Sequence, residues 1–112
     1  MMAYAGDMDA DGIHGQLDTL ILATLKRGEA HGYAIIAALR ETSGEQLDLP
    51  SGTVYPALRR LERNGHAAGK WTQAGGRRRR VYAITEDGLA ALAKGRADWL
   101  ALREVMTAVL DA

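Results

Sequence analysis

The chain has 112 residues, 47% hydrophobic and 25% charged, with a formal net charge of zero, a composition that excludes a disordered chain and fits an ordinary folded domain. It has no cysteine, which excludes disulfides, thiolate metal sites and thiol redox chemistry. No stretch approaches about 18 uninterrupted apolar residues and the N-terminus lacks a basic-then-apolar leader, so a cytoplasmic location without membrane association is expected.

Residues 1–12 mix alanine, glycine and acid without apolar periodicity and are expected to form a flexible N-terminal arm. From Leu17, the residues Leu17, Leu20, Ile21 and Leu25 recur at helical spacing until Gly28, predicting a first helix. A second is predicted over His31–Thr42, with Tyr33, Ile36 and Ala37 on its apolar face, Leu39 widening it and Gly44 closing it. Leu47–Pro50 reads as a short extended piece.

Ser51 is expected to cap a third helix in which Val54, Ala57, Leu58 and Leu61 share one face and Gly65 marks the end. Its outward face is Thr53, Pro56, Arg59, Arg60 and Arg63, flanked by Tyr55, with Pro56 tolerated near the first turn. Two short strands are predicted over 66–73 and 79–85, around a basic loop from Ala74 to Arg78. Tyr33 and Tyr82 are expected in the core, and Trp71 as core cover, with a groove-edge contact as its alternative. Thr85, followed by Glu86 and Asp87, caps a last helix running to about Leu110, roughly 36 Å long. The expected fold is mainly α with a small β-hairpin: a winged helix-turn-helix over 13–85, then a long C-terminal dimerisation helix over 86–112.

Charge is unevenly placed. Between Arg59 and Arg80 lie Arg59, Arg60, Arg63, Lys70 and Arg77, Arg78, Arg79 and Arg80 against the single acid Glu62. A strongly basic segment on an otherwise acidic molecule suits oriented approach to a polyanion. The third helix could lie in a DNA major groove, with Ser51, Thr53, Tyr55 and Pro56 near base edges and Arg59, Arg60 and Arg63 reaching guanine or phosphate. Lys70, Arg77, Arg78 and Arg79 are the expected wing contacts, although strand alternation lets at most two or three of the arginine run touch one backbone. Paired carboxylates, nucleophile–histidine arrangements, nucleotide-binding glycine loops and metal-ligand clusters are missing from the pattern, so no enzyme, cofactor or metal is expected. His14, His31 and His66 are read as structural or solvated.

On the last helix Leu89, Leu92, Trp99, Leu102, Met106 and Val109 form a stripe that Leu100 and Leu110 widen. One small protomer cannot bury that much, so a second copy is expected to cover it, with Leu17, Leu20 and Ile21 of the first helix also at the interface. A two-fold dimer would place two third helices about 34 Å apart, matching a palindrome.

Taken together, Gly52-Thr53-Val54-Tyr55-Pro56-Ala57-Leu58, Arg60-Leu61-Glu62, Gly65, Gly76-Arg77-Arg78 and Tyr82-Ala83-Ile84-Thr85-Glu86-Asp87-Gly88 resemble the PadR-like signature. His31-Gly32-Tyr33 also matches, and the similarity spans roughly residues 16–112. The resemblance implies a homodimeric repressor whose third helix enters the major groove, whose wing grips the flanking backbone and whose last helix packs on the partner. Ending after a single such helix, the chain looks like the short group of the family. In some short members a tryptophan placed like Trp99, eleven residues after Gly88, faces its symmetry mate and sandwiches planar apolar drugs. The alternative is a packing tryptophan with no ligand. Arg96 and Arg103 lie one turn to either side, so the effector expected here is an anionic aromatic.

Overall fold

The computed structural model describes residues 15–112. The expected arm at 1–12 and the reading of His14 lie outside the described residues. In chain order the elements are α1 (Leu17–Lys26), β1 (Ala30–His31), α2 (Gly32–Thr42), α3 (Ser51–Arg63), β2 (Ala67–Ala74), β3 (Arg77–Ile84) and α4 (Glu86–Leu110). This is the winged helix-turn-helix with a long terminal helix that the sequence predicts, with one more strand. Among the described residues no helix is long and apolar enough to cross a membrane.

The core forms where the apolar stripes of three helices meet. Ile21, Leu22 and Leu25 come from α1, Ile35 and Leu39 from α2, and Val54, Ala57, Leu58 and Leu61 from α3, with Leu47, Leu49, Ala67 and Tyr82 closing the space. The buried face of α3 is the one its spacing predicts. On α2 the buried positions are Gly32, Ile35 and Leu39, which rotates the stripe away from Tyr33. That tyrosine, expected in the core, is 68% exposed, whereas Tyr82 is buried as expected. Ile21 also departs from expectation: it is wholly buried in its own protomer's core and has no surface to offer an interface.

The start of α3 differs in detail. Pro50 occupies the cap position in extended conformation, and its carbonyl accepts from Thr53 N at 3.0 Å and Val54 N at 3.2 Å. Ser51 is therefore already helical and does not cap. Proline fits this place because its φ is preset and its missing N–H is not needed. Pro56 lies in the second turn, further in than expected, and the helix continues through it.

β2 and β3 pair antiparallel from Ala67↔Ile84 to Ala74↔Arg77, and β1 adds to the other side of β3 through Ala30↔Tyr82 and His31↔Val81. The predicted five-residue loop shrinks to Gly75-Gly76, both with positive φ (58° and 78°), as a tight two-residue hairpin turn demands. Trp71, expected to cover the core, is 57% exposed, because the hairpin extends beyond the helices.

Thr85 caps α4 as predicted, its Oγ1 accepting from Gly88 N at 3.0 Å and donating to the Gly65 carbonyl at 2.6 Å. The first half of α4 crosses α1 closely enough that a Cβ on Gly95 would overlap Thr19. Beyond the crossing every residue from Arg96 to Ala112 is exposed, and α4 still faces the body as far as Trp99.

Candidate nucleic-acid interface

On α3 the outward positions Ser51, Pro56, Arg59 and Arg63 are exposed, while Thr53, Tyr55 and Arg60 are half-buried. Arg60 is set apart from the other arginines. Its Nη2 lies 2.5 Å from Asp18 Oδ1 and its Nε 3.2 Å from Oδ2, a two-pronged pair. Hydrogen bonding to Asp18 raises the Arg60 pKa still further, outweighing partial desolvation. Arg60, one of the side chains expected to reach DNA, also ties α3 to α1. No local pattern in α3 could reveal a partner 42 residues upstream.

The ring end of Tyr55 rests on Gly32, where a Cβ would collide with it. Its edge faces Tyr33 with centroids 5.9 Å apart at 73°. Burial, then Tyr33 and Tyr82, raise the Tyr55 pKa against the opposing pull of Arg79, so the phenol remains a hydrogen-bond donor. Tyr33 thus joins the rim of this face, a position masked in the sequence because nearly every residue of α2 is apolar.

The wing divides its cations by strand alternation. Trp71↔Arg80 and Gln73↔Arg78 share one face of the hairpin, while Thr72↔Arg79 and Ala74↔Arg77 share the other with Lys70↔Val81. Arg78 sits 4.6 Å above the Trp71 ring and Arg80 5.4 Å from it, as cations do on indole. Arg80 also donates to Glu62 of α3, and this bond raises the Arg80 pKa. The wing is thereby fastened to α3. On the opposite face Arg79 Nη1 approaches His31 Nε2 at 2.8 Å. Arg59 and Arg63 of α3 and Lys70, Arg77 and Arg78 of the wing are all exposed, with Arg78 on the hairpin face opposite Lys70 and Arg77.

A second surface lies on α4. Trp99, Leu102, Met106 and Val109 are 45%, 47%, 49% and 71% exposed, whereas Leu17, Leu20 and Leu92 pack half-buried against the core. Leu20, Leu47, Leu92, Gln46, Arg96 and Trp99 line a cavity of about 540 Å³, and Gln46 Oε1 is buried without a hydrogen-bond partner among the described residues. Arg103 stands 5.8 Å over the Trp99 ring. The three side chains expected to meet an effector are therefore neighbours.

Comparison with known proteins identifies the fold and the family. The profile of the Transcriptional regulator PadR-like family matches residues 21–94. The transcriptional regulator Rv3488 of Mycobacterium tuberculosis is 38% identical over 82 residues, covering 73% of this chain and 71% of its own. Among solved structures, a transcriptional regulator from Clostridium thermocellum is similar with a TM-score of 0.82 at 31% identity, over 87% of this chain and 95% of that one. A PadR family regulator from Eggerthella lenta follows at 0.79 and 33%, over 88% and 84%. With a winged helix-turn-helix, a cationic third helix and wing, and this match over most of its length, the chain belongs to the PadR-like family of DNA-binding transcriptional regulators, a family of regulators and not of enzymes.

Proposed function

We propose that the chain is a repressor that binds a palindromic operator as a homodimer and responds to a small aromatic effector. In this reading the winged domain over 13–85 contacts DNA and residues 86–112 hold the partner. The observation that carries it is the pairing of a cationic α3 and wing with a terminal helix whose second half is exposed yet apolar. Bases are met by Ser51, Thr53, Tyr55 and Pro56, and phosphates by Arg59, Arg63, Lys70 and those wing arginines that lie on the hairpin face turned to the DNA, with Arg60 at the edge of the set. The test is a salt titration of binding to duplex DNA from upstream of its own gene. Log K is expected to fall linearly with log salt, at about −0.9 per phosphate contact. A flat line would favour a winged helix that meets protein instead.

The effector reading rests on the cavity beside Trp99, with Arg96 and Arg103 to attract an anion. In a Trp71→Phe background, aromatic carboxylates are expected to quench the remaining tryptophan and to lower operator affinity in the same concentration range. Quenching by cationic dyes alone would reverse the assigned charge, and no response from either class would leave Trp99 a packing residue.

A further inference from the structure

His31 lies at the junction of β1 and α2, and it has two neighbours that cannot both be satisfied. Its Nδ1 accepts the Ala34 backbone N–H at 3.3 Å, capping α2. Holding that lone pair on Nδ1 puts the ring proton on Nε2. Yet Nε2 is 2.8 Å from Arg79 Nη1, and a guanidinium has only donors. Two N–H groups therefore converge on one point. The other tautomer would accept from Arg79 but leave the Ala34 N–H without its cap, and a doubly protonated ring would fail both neighbours. No state of the imidazole meets the two contacts together.

An oxygen bearing several lone pairs resolves the conflict by taking both N–H groups at once. We infer that His31 Nε2 and Arg79 Nη1 form a cradle for one phosphate of the DNA backbone, which makes His31 a contact residue of the operator complex. Its place supports this. Gly32, next in sequence, is the seat of the Tyr55 ring, and Arg79 is near enough to oppose the rise in the Tyr55 pKa. The cradle thus opens beside the recognition helix, with exposed Tyr33 at its edge. Lys70 and Arg77 share the hairpin face of Arg79, so the surrounding charge favours a polyanion. The inference rests on the DNA-binding reading proposed above.

The informative variant is His31→Asn, which retains a capping oxygen but is too short to reach Arg79. If His31 served the fold alone, this variant would bind DNA like the wild type. The cradle predicts a loss of roughly tenfold in operator affinity with the salt slope unchanged, because a neutral donor releases no counterion. Arg79→Ala should lower affinity and flatten the slope, and adding His31→Asn to it should cost little more. His31→Ser, another capping residue, should repeat the Asn result with an unaltered melting temperature.

In side-chain ¹⁵N spectra of the intact protein, the His31 Nε2–H proton should move downfield on adding duplex DNA. Inorganic phosphate at an equal phosphate concentration should leave it in place. Wild-type affinity in His31→Asn, strict additivity with Arg79→Ala, or the same downfield shift with inorganic phosphate would each overturn the cradle. A wild-type chain whose DNA binding ignores salt would instead remove the operator reading, and this contact with it.

Discussion

Alanine at both Arg77 and Arg78 is expected to weaken binding to every duplex by a similar factor, roughly fiftyfold at 0.1 M salt, and to flatten the salt slope by about 2 per dimer. The size follows from the hairpin. Arg77 and Arg78 point to opposite faces of the wing, so a DNA strand passing one face meets one of them per protomer. Two contacts per dimer, each at about −0.9 in log salt, give this loss. Arg60→Ala and Arg80→Ala provide the contrast, since Asp18 and Glu62 already neutralise those guanidiniums, and both should leave the slope unchanged. Substitutions at Thr53 or Tyr55 should change the preferred sequence at a nearly constant slope. A slope unmoved by the wing double variant, measured by fluorescence anisotropy across several salt concentrations, would remove the wing from the interface.

Gly88→Ala is the second substitution with a large expected effect, this time on stability. The residue is buried in the first turn of α4, and a Cβ there would overlap the His66 backbone carbonyl and crowd Ile84. A flexible side chain can turn aside; a carbonyl whose oxygen accepts from Thr85 N at 3.2 Å is held in place. The helix start would have to lift off the sheet, straining the Thr85 cap. Overpacking of this kind costs about 2 to 3 kcal/mol, readable as a lower urea midpoint with the same m-value. Gly52→Ala is the control, because a Cβ there meets nothing. Equal midpoints for the two variants would refute the steric account.

Sequence and structure agree best where a single periodicity dominates. α3 has apolar residues on one face and polar ones on the other, and its buried set of Val54, Ala57, Leu58 and Leu61 follows directly. α2 offers Tyr33, Ile35, Ile36, Ala37, Ala38 and Leu39 in close succession, so several stripes fit it equally. Packing against α1 and α3 selects the stripe, and Tyr33 is left outside. Ala30-His31 has no strand pattern of its own and becomes β1 only because β3 offers a free edge. Alternation correctly puts Trp71 on the face shared with Ala67, but only tertiary structure shows that the core ends before reaching it. The arginines of α3 and the wing are legible as a cationic set, whereas the pairing of Arg60 with Asp18 and of Arg80 with Glu62 depends on acids distant in sequence. The Nε2–Nη1 approach at His31 is likewise a matter of tertiary geometry.

The Thr19–Gly95 crossing has a mechanical consequence. Thr19 adjoins Asp18, the residue that grips Arg60, so a single turn of α1 anchors both the helix that would meet DNA and the one that would meet the partner. From this pivot α4 runs about 22 Å to Leu110 at 1.5 Å per residue. A tilt of about 10° there would swing its far end by roughly 4 Å over that lever arm. In the proposed dimer, small changes in seating at Gly95 would become changes in half-site separation of a size that one helical repeat of DNA registers.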